Sequence, residues 1–242
     1  MFNLTGKTAL VTGSTQGIGF AVAACLAGQG ASVFVHGGTS AGKAEDAAKK
    51  IPGAKAVCVD LSEKDAAAKL LEATDSVDIL VCNASVQFRK KWNEITHKEI
   101  EAQLQVNFAA TLGLIQQFAP HMKENRWGRI ITVGSVQQYK PHKDMAVYAA
   151  SKAAQMSLVT NLAKQLAPFG ITVNNLSPGV ILTPRNEDVL NDAEYKKQVL
   201  SGIPCGFAGT AEDCAAPILL LASNEGRYIT GCDLVADGGM RL

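Results

Sequence analysis

Several features that would assign a protein to a class at once are missing from this 242-residue chain. Aromatic residues make up only 6% of it, and its 23 basic side chains almost balance its 22 acidic ones. A net charge of +1 leaves no excess of either sign to bind nucleic acid or an anionic membrane. No apolar run approaches the roughly 18 residues of a membrane-spanning helix, and the first residues do not resemble a signal peptide. We therefore expect a cytoplasmic protein without nucleic-acid or membrane partners.

Paired cysteines and clustered histidines are also missing. The six cysteines are scattered singly with no CxxC pair, and the four histidines show no metal-ligand spacing. Both patterns argue against a zinc site or a redox dithiol. We expect buried free thiols in a reducing compartment, and no metal site.

What the sequence does contain is a regular alternation of short apolar runs with longer helical segments. Hydrophobic residues make up 47% of the chain, enough to cover both faces of one sheet. The predicted strands are Thr8–Val11, Ser32–Val35, Ala56–Val59, Ile79–Cys82, Arg129–Val133, Thr172–Asn175 and Asp233–Val235. The predicted helices are Ile18–Gln29, Lys43–Lys50, Lys64–Ala73, Lys98–Met122, Ala146–Ala167 and Ala211–Leu221. This order predicts one α/β domain over residues 1–242, a doubly wound and mainly parallel seven-stranded sheet with helices on both faces.

Capping residues mark several of the helix ends. In a capping box, a side-chain oxygen satisfies a free backbone N–H group of the first turn. Three pairs have the required spacing: Ser62 with Asp65, Thr96 with Glu99, and Thr210 with Asp213. Gly30 and Gly170 follow helices at positions where a left-handed backbone often ends a helix.

A glycine-rich loop joins the first strand to the first helix. It reads Thr12-Gly13-Ser14-Thr15-Gln16-Gly17-Ile18-Gly19. In a doubly wound fold this loop presents backbone N–H groups to a ligand, and the positive end of the following helix favours a phosphate. Gly13 permits a sharp turn, and Gly17 and Gly19 permit the close approach of a pyrophosphate. An ordinary turn would explain the glycines alone, but their place in a βαβ unit favours nucleotide binding.

Tyr148 and Lys152 are the clearest candidates for a proton-transfer centre. They lie four residues apart in a predicted helix, so both side chains project from the same face. A tyrosine with its usual pKa of about 10 is a poor base near neutrality, and a neighbouring ammonium lowers that pKa by favouring the phenolate. Such pairs also occur on helix surfaces without a function, so the surrounding residues must show whether this pair belongs to a catalytic site.

The TGxxxGIG loop and the YxxxK pair resemble the classical short-chain dehydrogenase/reductase family. Ser135, which precedes Tyr148 at the end of a strand, and Asn107, in the middle of a helix, extend the resemblance. It implies a Rossmann-like NAD(P)-binding domain that moves hydride between nicotinamide and a carbonyl or secondary alcohol. Tyr148 would be the general acid or base, and Ser135 would bind the substrate oxygen. Lys152 would hold the nicotinamide ribose, and Asn107 a water in a relay to Lys152.

The resemblance also implies cofactor contacts along the whole chain. They are Gly13, Ser14, Thr15, Gln16, Ile18, Gly19, Gly38, Thr39, Asp60, Leu61, Asn83, Ala84, Tyr148, Lys152, Pro178, Gly179, Ile181 and Thr183. Among them, Asp60 would hold the adenine, while Ile181 and Thr183 would orient the carboxamide. The chain departs from the family's Asn-Asn-Ala-Gly segment at two positions, where Cys82 replaces the first Asn and Ser85 replaces the Gly. The added Cβ of Ser85 is expected to change the local geometry.

The usual determinants of cofactor choice are absent after the second strand. Gly37 stands where an acid would bind the ribose of NAD, and Gly38 where an arginine often follows. The missing acid favours NADP(H) over NAD(H), and four side chains are candidates to bind its extra phosphate: His36, Thr39, Ser40 and Lys43. Gln16 argues the other way, because NADP-binding members often carry a basic residue at its position.

The substrate is the least determined part of the prediction. The segment 180–209 breaks the strand–helix rhythm, as an insertion that forms a lid would. The candidate wall residues are Gln137, Tyr139, His142, Val86, Phe88 and Arg185. Their polarity favours a small or medium polyfunctional ketone or secondary alcohol, and the family resemblance implies a homotetramer. One alternative is a catalytically inactive NAD(P)-binding regulatory protein, which the intact Ser135, Tyr148 and Lys152 oppose. The other is a methyltransferase, which the YxxxK pair and the TGxxxGIG spacing oppose.

Overall fold

Seven apolar segments pair into one parallel sheet. In the computed structural model, which describes residues 1–186 and 193–242, they are β1 (Thr8–Val11), β2 (Ser32–Gly37), β3 (Lys55–Cys58), β4 (Ile79–Cys82), β5 (Gly128–Val133), β6 (Ile171–Pro178) and β7 (Asp233–Ala236). Their order across the sheet is β3-β2-β1-β4-β5-β6-β7, and every neighbouring pair is parallel. The predicted doubly wound Rossmann-like sheet is confirmed, although β6 continues to Pro178, beyond its predicted end at Asn175.

Helices connect these strands. They are α1 (Gly17–Gly28), α2 (Ala41–Ala48), α3 (Ala66–Thr74), α4 (His97–Leu104), α5 (Ala110–Glu124), α6 (Ala146–Leu166), α7 (Ala193–Ser201) and α8 (Ala211–Ala222). The long predicted helix Lys98–Met122 is divided into α4 and α5 by a π-helical turn at Gln105–Ala109. Helix α7 lies in the 180–209 insertion, where the sequence pattern predicts no helix.

The sheet has a hydrophobic core on each face. One core packs β1 residues such as Val11 against α1, α2 and α8. The other packs Leu10 against α3, α5 and α6, where Phe118 is fully buried. Because neighbouring residues of a strand point to opposite faces, burial on both faces explains the continuous apolar runs. Complete burial of one such side chain stabilises the fold by about 1.5–3 kcal/mol.

Two of the three predicted capping boxes contain the expected contact. The Glu99 carboxylate accepts from the backbone N of Thr96 at 2.9 Å, and that of Asp213 accepts from the backbone N of Thr210 at 2.7 Å. The Ser62 prediction is wrong, because α3 begins only at Ala66.

The glycines after helices have the predicted left-handed backbone. The φ angle is +95° at Gly30 and +75° at Gly170. Gly170 closes the 3-10 turn that follows α6. Both angles lie in the region where a side chain is disfavoured, which explains why glycine stands there.

The topology opens a crevice at the carboxyl ends of the strands. The chain passes from β3 at one edge of the sheet to β4 on the far side of β1, so the connections after β1 and β4 diverge. The loops that follow β1 to β6 all meet along this edge. Within residues 1–186 and 193–242, no helix is long and apolar enough to cross a membrane, and no cluster of three metal-ligating side chains occurs.

Candidate active site

A cleft of about 770 Å³ lies along the carboxyl edge of the sheet. It extends from the segments after β2 and β3, past the glycine-rich loop, to Ser135 and Tyr148. The predicted cofactor residues that line it are Gly13, Thr15, Gln16, Ile18, Gly19, Gly38, Thr39, Asp60, Leu61, Asn83, Ala84, Tyr148, Pro178, Gly179, Ile181 and Thr183. The two others, Ser14 and Lys152, are buried outside the lining.

The start of α1 offers unpaired backbone donors to the cleft. Its N-cap residue, Gln16, makes no side-chain capping bond, and the first turn contains no acidic residue. The N–H groups of this turn and the positive end of the helix therefore fit an anionic group such as a pyrophosphate.

Two glycines of this loop are required by contacts within the protein. A Cβ at Gly13 would lie 2.9 Å from Ala84 Cα, and one at Gly19 would lie 2.5 Å from Asn83 Nδ2. Gly19 therefore permits the loop to pack on the segment after β4. The predicted role of Gly19 in the approach of a ligand stays a prediction.

Asn83 and Thr12 hold that contact together. Asn83 Nδ2 donates to the carbonyl oxygens of Thr12 at 2.9 Å and Gly13 at 3.0 Å. Thr12 Oγ1 accepts from the backbone N of Asn83 and of Ala84, each at 3.0 Å. Asn83 therefore holds the glycine-rich loop against the segment after β4. The neighbouring Cys82 is buried, and burial raises its pKa to about 12, so the thiol stays protonated.

Ser14 and His36 connect the glycine-rich loop to the sheet and are not free for a ligand. Ser14 Oγ donates to the Val11 carbonyl at 2.6 Å and accepts from the His36 backbone N at 2.9 Å. His36 Nδ1 accepts from the Gly13 backbone N at 3.0 Å, so Nε2 carries the proton that is donated to the Val59 carbonyl at 2.8 Å. These bonds occupy both side chains within the protein, and the predicted cofactor contacts of Ser14 and His36 stay predictions. Burial lowers the pKa of His36.

The segment after β2 has no room for an acid at the position that selects NAD. A Cβ at Gly37 would lie 2.9 Å from the Ser40 carbonyl oxygen. Ser40 Oγ caps α2 by accepting from the Lys43 backbone N at 3.3 Å. Thr39 and Lys43 line the same end of the cleft.

Asp60 follows β3 and lines the end of the cleft away from Tyr148. Its Oδ1 accepts from the backbone N of Ser62 at 2.9 Å, which fixes the turn. The other carboxylate oxygen remains available to a ligand, so the turn contact does not exclude the predicted contact with adenine.

Ser135, Tyr148 and Lys152 meet at the other end. Ser135 follows β5, and its Oγ accepts from the Gln137 backbone N at 3.2 Å. Tyr148 is 6% exposed and lines the cleft. Lys152 lies beneath it, with Nζ 5.7 Å from the Tyr148 ring centre and donating to the Val133 carbonyl at 2.7 Å.

The electrostatics of Tyr148 differ from the prediction. Burial raises the pKa of Tyr148, while the Arg185 cation and the hydroxyls of Ser135 and Ser85 act against that rise. Burial also lowers the pKa of Lys152 to about 7, and repulsion from Arg185 adds to this effect. The cation that favours the phenolate here is therefore Arg185, whereas the sequence analysis assigned that role to Lys152.

Asn107 lies in the π-helical turn between α4 and α5. Its Oδ1 accepts from the Val86 backbone N at 2.8 Å, and its Nδ2 donates to the Val86 carbonyl at 2.9 Å and to Ser151 Oγ at 3.0 Å. The side chain thus holds the segment after β4 against α6. The extra residue of the π-helical turn turns the amide toward both elements.

Gln155, which the sequence analysis missed, connects Lys152 to this turn. Lys152 Nζ donates to Gln155 Oε1 at 3.1 Å, and Gln155 Nε2 donates to Thr111 Oγ1 at 3.1 Å. Thr111 Oγ1 donates in turn to the Asn107 carbonyl at 3.1 Å. A polar residue one turn beyond Lys152, on the same face of α6, was the available sign of this role.

The predicted substrate walls are partly correct. Gln137, His142, Val86 and Arg185 line the cleft. Tyr139 does not, because its hydroxyl donates to Asp233 at 2.5 Å, on the β7 side. Phe88 does not either. Several lining residues were not predicted, among them Gln87, Arg89, Met145, Tyr195, Val199 and Met240.

The insertion 180–209 reaches the cleft through α7, which contributes Tyr195 and Val199. Arg185 precedes α7 and lines the same end. Residues 187–192 of the predicted lid lie outside the described residues. The closing motion stays a prediction.

Comparisons with known proteins agree with this geometry. A family model described as Enoyl-(Acyl carrier protein) reductase matches residues 13–241. A 3-oxoacyl-[acyl-carrier-protein] reductase of Haemophilus influenzae is 36% identical, over 99% of this chain and 100% of that protein. The structure of a 3-oxoacyl (acyl-carrier-protein) reductase from Agrobacterium tumefaciens with NADP bound has a TM-score of 0.94 and 36% identity, covering 98% of this chain and 95% of that one. A gluconate 5-dehydrogenase from Burkholderia cenocepacia in complex with NADP and tartrate has a TM-score of 0.92 and 30% identity, covering 99% and 96%.

Proposed function

The chain belongs to the short-chain dehydrogenase/reductase family and is an oxidoreductase acting on CH–OH and C=O groups, and we propose that Tyr148 is its general acid or base. The reaction is a reversible hydride transfer between a nicotinamide dinucleotide and a carbonyl or secondary alcohol. The observation that carries the proposal is the position of Ser135, Tyr148 and Lys152 at the end of the cleft that begins at the glycine-rich loop.

Each polar residue at this end of the cleft has a separate role in the proposed reaction. When bound, the dinucleotide supplies or accepts the hydride. Tyr148 donates a proton to the carbonyl oxygen in reduction and accepts one from the alcohol in oxidation. Ser135 donates a hydrogen bond to the same oxygen as charge develops on it. Lys152 and Asn107 keep these groups in place from beneath the cleft.

We infer that the cofactor is a nicotinamide dinucleotide held by the loop after β1, Asp60, Asn83 and the Pro178–Thr183 segment. NADP(H) is the preferred form in this proposal. Two observations support the preference: Gly37 leaves no room for an acid, and Lys43 lines the adenosine end beside Thr39. The two related structures described above carry NADP. Titration of NADPH and NADH against the protein tests it, and tighter binding of NADH would contradict it.

The proposed assembly is a homotetramer, because classical members of the family usually form tetramers. Light scattering of the purified protein gives the mass directly. A monomeric mass of 25.5 kDa would contradict the assembly without affecting the proposed chemistry.

Tyr148→Phe tests the proposed chemistry. The variant keeps the ring and removes only the hydroxyl, so turnover is expected to fall by at least a hundredfold while cofactor affinity stays within about twofold. Tyr228→Phe is the matched control, because Tyr228 is 99% exposed and outside the cleft. Wild-type turnover by Tyr148→Phe would contradict the proposal. Cofactor binding by the wild type without turnover of any carbonyl or alcohol would favour a regulatory protein.

A further inference from the structure

Arg185 is held beside the proposed proton donor by the residue that departs from the family segment. Its Nη1 donates to Ser85 Oγ at 2.9 Å and its Nη2 to the Ser85 carbonyl at 2.8 Å. Burial raises the pKa of Tyr148, and the Arg185 guanidinium and the Ser85 hydroxyl act against that rise. Within residues 1–186 and 193–242, the two contacts with Ser85 are the hydrogen bonds of the guanidinium, which has five N–H groups.

A second arginine lines the same end of the cleft. Arg89 Nη2 donates to Tyr195 Oη at 2.6 Å and lies 3.3 Å from His142 Nε2. Its guanidinium is also 5.2 Å from the centre of the Tyr195 ring. The segment after β4 and α7 therefore hold a cation between them, beyond Arg185.

In the part of the chain that the structure describes, this end of the cleft carries two cationic side chains and no acidic one. Among the residues that the structure describes, Asp60 is the only carboxylate that lines the cleft, and it follows β3 at the adenosine end. Within residues 1–186 and 193–242, no ion pair joins Arg185 or Arg89 to an acidic side chain. Both arginines remain solvent-accessible, so a ligand can reach them.

We propose that the substrate carries a carboxylate, and that Arg185 binds this carboxylate while Ser135 and Tyr148 bind the reacting oxygen. Because Arg185 is held at Ser85 and lines the same end of the cleft as Ser135 and Tyr148, the proposal places the carboxylate no more than one carbon away from the reacting carbon. The substrate class is therefore a 2- or 3-hydroxy acid and the corresponding keto acid. The polar side chains of Arg89, His142 and Tyr195 would contact the remainder of the substrate, which favours a substrate with a hydroxylated carbon chain.

The proposed reaction rests on the hydride transfer described above. In oxidation, the hydroxyl proton passes to Tyr148 and the hydrogen of the same carbon leaves as hydride to the oxidised dinucleotide, so a C=O bond forms. In reduction, both transfers reverse. The carboxylate keeps its charge and its bonds throughout, and acts only as the anchor that selects and orients the substrate.

Paired substrates test the inference. Four- to six-carbon hydroxy acids are each compared with the alcohol in which CH2OH replaces the carboxylate, using both oxidised cofactors. The wild type is expected to favour the acid by at least about tenfold in kcat/KM, the scale of a charge-assisted hydrogen bond. Equal or better turnover of the alcohols would overturn the carboxylate anchor but leave the proposed hydride transfer intact.

Variants connect the preference to Arg185. In Arg185→Met, the preference for the acid is expected to disappear through a rise in KM, and Arg185→Lys is expected to restore part of it. Arg227→Met is the matched control, because Arg227 is exposed and outside the cleft lining. An acid preference that survives in Arg185→Met would overturn the inference.

A binding experiment separates this inference from the proposed function. The hydroxy acids are titrated into the enzyme saturated with reduced cofactor, where an alcohol cannot react. Binding that is lost in Arg185→Met supports the anchor even if Tyr148→Phe retains turnover. No preference for the acids over their paired alcohols in this titration would overturn it.

Discussion

His36→Phe removes the buried polar contact that joins the glycine-rich loop to the sheet. His36 is 1% exposed, and its ring is hydrogen-bonded at both nitrogens, to the Gly13 N–H group and the Val59 carbonyl. Phenylalanine keeps an aromatic ring of similar size and leaves both backbone groups without their partner. Each buried group left unpaired costs about 1–3 kcal/mol. Gly13 and Val59 are only partly buried, so we expect the free energy of unfolding to fall by about 2–4 kcal/mol.

Urea unfolding at one protein concentration measures this loss. His97→Phe is the control, because His97 is exposed at the start of α4 and is expected to change the free energy of unfolding by less than about 0.5 kcal/mol. Cofactor affinity is expected to fall in His36→Phe as well, since Gly13 is no longer held. Wild-type stability and cofactor affinity in His36→Phe would refute the structural role of this ring.

The same histidine makes stability depend on pH. Burial lowers the pKa of His36 below its ordinary 6.5, although the Val59 carbonyl and the Asp60 carboxylate act in the opposite direction. The folded protein therefore keeps His36 neutral at a pH where the unfolded chain has already bound a proton. Its contribution is complete above about pH 6.5 and is lost as pH falls toward the folded pKa, with a slope of about 1.4 kcal/mol per pH unit. The difference in unfolding free energy between wild type and His36→Phe should shrink from pH 7 to pH 5, and a constant difference would refute the assignment.

Two further variants test the ends of the cleft. Lys43→Met is expected to weaken NADPH binding by about three- to tenfold and to leave NADH binding unchanged, because only NADPH carries the extra phosphate that this ammonium is proposed to bind. Fluorescence titration measures both affinities, and equal losses for the two cofactors would contradict the assignment. Gln155→Leu keeps the side-chain volume but removes the acceptor of Lys152 Nζ, so kcat is expected to fall by about tenfold with little change in KM. Gln155→Glu should instead raise the pKa of Lys152 and move the pH dependence of kcat to higher pH, which a purely structural role would not do.

The sequence was sufficient to predict the strands and their succession along the chain. It was not sufficient to predict local irregularities of the helices. Alternating apolar runs and helical segments predicted all seven strands, because burial on both faces requires such runs. The π-helical turn at Gln105–Ala109 was not predictable, since one extra residue barely alters helical periodicity. The predicted N-cap at Ser62 was wrong because several polar residues precede Ala66, and the sequence does not show which of them begins the helix. In the structure, Ser62 belongs to the turn at Asp60, and the helix begins at Ala66.

In the candidate site, short motifs predicted the residues that act within one turn or loop. The spacing of Tyr148 and Lys152 placed both on one face of α6, as the structure has them. Contacts between distant segments were beyond such reasoning. Ser85 and Arg185 are separated by 100 residues, and their contact gives Ser85 a role that the sequence did not predict. From the sequence it was an added Cβ that disturbed a family segment, whereas in the fold its hydroxyl holds the cation next to Tyr148.

The position of that cation links substrate charge to the pH dependence of the reaction. Arg185 acts to lower the pKa of Tyr148 against the effect of burial, and it also lowers the pKa of Lys152. A carboxylate bound to Arg185 neutralises this influence, so both pKa values rise when a hydroxy acid occupies the cleft. Oxidation needs the phenolate of Tyr148, whose population at a given pH then decreases.

The acid limb of the kcat profile for oxidation should therefore lie at higher pH with a hydroxy acid than with its paired neutral alcohol, because kcat reports ionisations in the substrate complex. Arg185→Met is expected to bring the two limbs together, since neither substrate then meets the cation at this position. Profiles measured with both substrates on wild type and on Arg227→Met provide the comparison. Coincident limbs in the wild type would show that Arg185 does not set the ionisation of Tyr148 during turnover, and the carboxylate would then have to be bound elsewhere in the cleft.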